Sequence, residues 1–260
     1  MAPSATYSQD ERTKGNRLAK RTKYDAAQVH AIVNATPILH VSFNSPPKGP
    51  SEPQFPTILP MLGNIGQYEK DDHPSLYLHG SSVARLFSMT SHGSLPLCVC
   101  ATLFDGYVLS LTPFHNSCNY RSAVCFGQAA LVQDPEEVTF ALHLITNSSI
   151  PARWENSRVP PTKAELTSTG VLKMEIETAS AKTRTGGPND ERSDLRNPEV
   201  VGKTWIGVVP SYQVLGEPVG TQHNQVKQTP EYLEDWVADV NSLNEQKAID
   251  AVEQAVDDHE

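Results

Sequence analysis

Strict alternation of apolar and polar residues marks the clearest segment of the chain. In Thr169–Lys182, Leu172, Met174 and Ile176 fall on one side and Lys173, Glu175 and Glu177 on the other. That period of two predicts a half-buried strand. Leu39, Val41 and Phe43 alternate in the same way and predict a strand over Ile38–Phe43. Further apolar runs predict strands at Phe55–Leu62, Ser75–His79, Leu97–Phe104, Tyr107–Leu111, Tyr120–Val132 and Thr204–Val209. Asp105-Gly106 sits between two of these runs and reads as a hairpin turn.

Helical spacing appears at the margins. Asp25 caps a short helix whose buried face is Val29, Ile32 and Val33. Ser81–Met89 reads as a helix capped by Ser81 or Ser82, with Val83, Leu86 and Phe87 at helical spacing. Asp134-Pro135-Glu136-Glu137 opens another, burying Val138, Ala141, Leu142 and Ile145. Pro230–Val256 carries two apolar stripes and ends in an acidic tail, Asp257, Asp258 and Glu260. Asn44–Gln54, Gly63–Pro74 and Thr183–Pro198 read as loops. Hairpins without regular strand–helix alternation predict an α+β chain, mainly β with peripheral helices, in a closed or partly open barrel.

The 260 residues carry a net charge of −9 and no apolar run near the ~20 residues of a membrane span. The acidic balance argues against general nucleic-acid binding, which needs clustered Lys and Arg. The N-terminal segment has no hydrophobic core, so no secretory signal is expected and the expected location is cytoplasmic. Cys98, Cys100, Cys118 and Cys125 form neither a disulfide framework nor a C-x-x-C pair, so no metal site is expected. Cys98 and Cys100 share one strand face, which reads as packing. Residues 1–23 are polar and locally basic and read as a flexible arm. No metalloprotease, α/β-hydrolase or P-loop motif is present.

Two stretches carry chemistry. In Leu76-Tyr77-Leu78-His79-Gly80-Ser81-Ser82-Val83-Ala84-Arg85, a strand ends, a glycine turns the chain and two hydroxyls precede a helix with an arginine. Such a junction offers N–H groups and a cation to a phosphate, and it equally suits an ordinary capped helix. Asn116-Ser117-Cys118-Asn119-Tyr120-Arg121-Ser122-Ala123-Val124-Cys125-Phe126-Gly127 runs a polar cluster into a strand. Spacing alone leaves the roles of Arg121 and Ser122 open.

Together with Pro56-Thr57-Ile58-Leu59-Pro60, Arg153-Trp154, Ser180-Ala181-Lys182 with Arg184 and Asp190, and Trp205–Pro210, these blocks resemble the flavin-nucleotide-binding proteins related to pyridoxamine 5'-phosphate oxidase, the nitroimidazole-resistance-type proteins. The resemblance spans roughly residues 20–215. It implies a split β-barrel over residues 24–215 and a homodimer with FMN near the subunit interface. Residues 216–260 remain outside it as a C-terminal helical extension. By position, His79, Gly80, Ser81, Ser82 and Arg85 would surround the phosphate. Thr57, Ile58, Leu59, Pro60 and Met61 would run beside the isoalloxazine, and Tyr120, Arg121, Ser122 and Trp205 would complete the site. His115, in a loop near the presumed flavin, is a candidate proton donor.

The chain also departs from that family. Pro-Thr-Ile-Leu-Pro-Met-Leu holds no Arg or Lys where the oxidases use a basic strand pair, and no Arg-x-His pattern follows. These departures argue against vitamin B6 oxidation. The expected function is an FMN-dependent oxidoreductase acting on a small organic molecule. A haem-binding or haem-degrading barrel using His40, His79 or His115, or a non-catalytic flavin carrier, are the alternatives.

Overall fold

The computed structural model describes residues 5–45, 49, 55–91 and 93–253. In chain order the elements are β1 (Thr22–Lys23), α1 (Ala26–Ala35), β2 (Leu39–Asn44), β3 (Pro56–Met61), β4 (Gly63–Gly66), β5 (Ser75–Ser81), α2 (Arg85–Thr90), β6 (Leu95–Leu109), β7 (Ser117–Leu131), α3 (Pro135–Ser149), α4 (Lys163–Ser168), β8 (Thr169–Arg184), α5 (Arg192–Leu195), α6 (Pro198–Val201), β9 (Gly207–Pro210) and α7 (Glu231–Glu253). The sheet runs β3-β2-β6-β7-β8-β5-β4, with β1 on β8 and β9 on β6. Every pairing with a resolved register is antiparallel.

β3 and β4 stand at opposite ends of that order, yet a single residue, Leu62, joins them. The sheet can satisfy both facts only by curling until its ends meet. The Leu62 carbonyl accepts a hydrogen bond from the His79 N–H at 3.4 Å, which fastens the junction to β5. The fold is therefore a split β-barrel, as the family resemblance implies.

By compactness the chain divides into two units, residues 1–102 with 122–181, and residues 103–121 with 182–260. The first unit holds the barrel core. Leu39, Val41, Leu76, Leu78, Val99, Leu172 and Met174 are fully buried there, with Val29, Ile32 and Val33 of α1. Burying each such side chain contributes roughly 1.5–3 kcal/mol. Tyr77 and Val171 face a second cluster with Ala141 and Ile145 of α3.

Residues 5–23 lie against this unit. Tyr7 Oη and His30 Nε2 are 2.6 Å apart, Thr178 Oγ1 donates to the Ser8 carbonyl, and Arg12 stands 5.4 Å over the Phe126 ring. In the second unit, α7 is held through Asn241, whose side chain accepts from Leu215 N–H and donates to its carbonyl. Among the described residues no helix is long and apolar enough to cross a membrane.

Several local expectations are corrected. β6 runs unbroken through Asp105-Gly106, with no turn there. The Asp105 carboxylate accepts both Nε and Nη2 of Arg121, at 3.0 and 2.7 Å, so it is not free to close a turn. Gly106 has φ +153°, and a Cβ there would lie 2.6 Å from the Val209 carbonyl. The glycine serves a close approach of β9, not a reversal. The helix expected from Ser81 begins only at Arg85, because Ser81 still pairs with Thr169 on β8. Gly63–Gly66, read as loop, is a strand because it pairs with β5. α5 also lies in a stretch read as loop, and α4, opened by a Thr162–Glu165 capping box, lies where the sequence reading assigns no element. The Asn44–Gln54 loop and the acidic tail fall largely outside the described residues.

Lys173, expected to face water, is half-buried. Its Nζ lies 2.7 Å from both Asp71 oxygens and 2.9 Å from Glu137, and the Tyr77 hydroxyl donates to Glu137 at 2.8 Å. Burial lowers the Lys173 pKa, but the two carboxylates outweigh it and hold the ammonium above its usual range. Removing the cation leaves two carboxylates facing each other in a poorly hydrated site. Lys173→Met is expected to cost about 3 kcal/mol, read as a lower urea midpoint with an unchanged slope. A second expectation concerns Gly127, where a Cβ would meet the Glu175 carbonyl at 1.8 Å. Gly127→Ala is expected to abolish soluble expression or lower Tm by more than 10 °C, on the order of a severe core defect.

Candidate functional site

The residues expected at a phosphate lie at the end of β5 and the start of α2. Alternation turns Leu76 and Leu78 into the core and brings the chain out at His79, Gly80 and Ser81. Gly80 is held between Phe87 and Met61, since a Cβ there would lie 2.8 Å from the Phe87 ring and 3.7 Å from the Met61 methyl. The structure thus brings together the end of β3 and the His79–Ser81 strand end, two segments the sequence separates by about twenty residues.

His79 is half-buried, and burial holds its imidazole pKa below the usual value. It is therefore neutral near pH 7 and offers one donor and one acceptor. Ser81 and Arg85 are exposed, and neither side chain has a hydrogen-bond or ion-pair partner among the described residues. Ser82 is engaged internally, its N–H donating to the Ser168 carbonyl at 3.0 Å and its hydroxyl to Thr167 at 3.1 Å. Among the described residues, the side chains left uncommitted here are the Arg85 guanidinium, the Ser81 hydroxyl and the His79 imidazole.

β3 is an edge strand, so one row of its backbone groups has no strand partner. Thr57, Leu59 and Met61 turn inward, with the Thr57 hydroxyl 3.2 Å from Ser45 Oγ. Ile58, 59% exposed, and Pro60 turn outward. Pro56 and Pro60 have no N–H to give β2, so the ladder uses Thr57, Leu59 and Met61, and the outward backbone row is Pro56, Ile58 and Pro60, with Ile58 its one N–H donor.

Tyr120, Arg121 and Trp205 belong to the second unit, and Ser122 to the first. Arg121 spends its fork on Asp105, a residue that the reading of Asp-Gly as a turn hid as its partner. Trp205 is exposed and folds its ring over Gly207. His115 is half-buried, and its Nδ1 is a buried atom without a hydrogen-bond partner among the described residues. Nothing in the linear spacing signals that. Among the described residues no group of three or more His, Cys, Asp or Glu could hold a metal ion.

The fold is a split barrel with an open apolar strand edge beside the exposed end of β5. The family model described as pyridoxamine 5'-phosphate oxidase matches residues 25–183, and the chain belongs to that family. Among solved structures, the chain is similar to the flavocytochrome Anf3 from Azotobacter vinelandii, with 30% identity and a TM-score of 0.72 over 88% of this chain and 98% of that one. It also shares its fold with the FAD and heme binding protein from Mycobacterium smegmatis, at 23% identity and a TM-score of 0.69, covering 84% and 97% of the two chains. No curated protein matches the sequence.

Among the described residues, Arg85 is a full cation without a partner at the strand end. Arg85→Ala is expected to weaken flavin binding about tenfold, the scale of a lost charge-assisted hydrogen bond, in a fluorescence-quenching titration. His79 stays neutral, so the affinity of the unaltered protein is expected to be flat between about pH 7 and 8.

Proposed function

We propose that the protein is a flavin-binding redox protein, with FMN as the expected flavin and a small organic molecule as its substrate. The observation that carries this reading is the likeness, over 88% of this chain and at 30% identity, to a protein named a flavocytochrome. The residues fit a flavin nucleotide. Ile58 and Pro60 give the ring an apolar face, and the unpaired backbone row of β3 gives its polar edge partners. Ser81 and Arg85 would take the phosphate, and His79 would add a neutral hydrogen bond. A bound flavin would supply hydride or single-electron chemistry, while the chain binds, orients and shields it. A homodimer fits the exposed Phe55, Ile58 and Val83, which are 75%, 59% and 88% accessible in the single chain.

The visible spectrum of freshly purified protein tests this, with the released chromophore identified by mass. A flavin spectrum yielding FMN supports the reading as stated, and FAD would keep the flavin but change the nucleotide. Protein that is colourless and refuses both flavins overturns it. Light scattering is expected to give about twice the chain mass, and a flavin-loaded monomer would remove the dimer.

The same two likenesses favour a second reading, in which a haem is bound as well. An axial imidazole must be neutral. Burial keeps His79 so, and the unpartnered buried Nδ1 of His115 makes it the other candidate. A pyridine haemochrome assay separates the cases. Loss of the Soret band in His79→Ala or in His115→Ala would name the ligand, and no Soret band after expression with haem precursor would end this reading.

A further inference from the structure

The strand registers gather two thiols and an imidazole on one outward sheet face. β2 pairs with β3 and β6 so that Pro60, His40 and Cys100 form one row across the sheet, and Ile58, Ser42 and Cys98 the next. These positions alternate with Leu39, Val41, Leu97, Val99 and Ala101, all of which face the core. Cys98 and Cys100 therefore point away from the core together. Both are free and half-buried, and His40 is exposed. Cys98 also lines a cavity of about 200 Å³ with Ser42, Asn44 and Arg12.

The spacing selects the chemistry. Residues two apart on a strand are about 6.6–6.8 Å apart and their Cβ atoms run parallel. A disulfide needs Cβ atoms about 3.5–4.5 Å apart, so these two thiols cannot close on each other without bending the strand. Two sulfurs leaning toward a shared ion need a separation of only about 4.6 Å, twice a metal–thiolate bond of ~2.3 Å. No third ligand is in place among the described residues, which excludes the four-ligand zinc geometry and leaves a two-coordinate soft ion.

We propose that Cys98 and Cys100 form a two-thiolate site for a soft monovalent cation of the Cu(I) class on the open face of β6. Binding replaces two S–H bonds by two S–Cu bonds and releases two protons. Cys125 does not compete, because it is fully buried in the core. The proposal rests on the strand register and does not depend on the flavin reading.

Anaerobic titration of the reduced full-length protein with Cu(I), in competition with bicinchoninate, tests it. One equivalent per chain is expected to leave the chelator, and copper-edge X-ray absorption is expected to show two sulfur neighbours. Cys98→Ser and Cys100→Ser are each expected to lose the ion while keeping the circular dichroism, Tm and flavin content of the unaltered protein. Cys118→Ser is expected to keep it. Copper left wholly on the chelator overturns the proposal. So does full binding by either single variant at Cys98 or Cys100.

Discussion

One covalent constraint organises the barrel: β3 and β4 lie at opposite ends of the strand order and are joined by Leu62 alone. A flat sheet of seven strands in that order would separate its ends by roughly 29 Å at the ordinary strand spacing, far beyond the span of one residue. Curling is thus obligatory, and the core follows from it. Once the sheet closes, the inward residues of β2, β5, β6 and β8 point at one another, and alternation becomes burial. The same closure sets Met61 against Gly80, so the strand edge and the strand end that could serve a ring and a phosphate become neighbours.

Electrostatics divides the polar residues into those already committed and those still available. Arg121, Lys173 and Arg184 resemble binding residues by type, yet each meets its demand inside the chain. Arg121 grips Asp105, Lys173 lies between Asp71 and Glu137, and buried Arg184 donates to Asn119 and to the carbonyls of Gly186 and Gly187. Desolvating a charge is tolerated only with such partners. Arg85 has none among the described residues and remains in water.

The family match and the departures from the oxidase pattern are compatible because fold and chemistry are separable. The barrel supplies an edge, a strand end and a surface, and side chains at a few outward positions decide what is held there. Ile58 and Pro60 replace charge by apolar surface, and they share their rows with His40, Ser42 and the two outward thiols.

Local patterning was enough for the long elements. Period-two alternation found β2 and β8, and the Asp25 and Asp134 caps placed α1 and α3, because both signals arise within a few residues. The HGSS and NYRS blocks were equally legible as a resemblance. What the sequence could not decide was which groups would meet across the sheet. Asp105-Gly106 has the residues of a turn, and only the approach of β9 and the Arg121 fork keeps it extended. Lys173 alternates like a surface residue, and only α3 and the Asp71 loop make it buried. Ser82 looks like a free cap until α4 brings up the Ser168 carbonyl. Propensity is a local free energy of a few tenths of a kcal/mol to ~1 kcal/mol, and a partner delivered from a hundred residues away outweighs it.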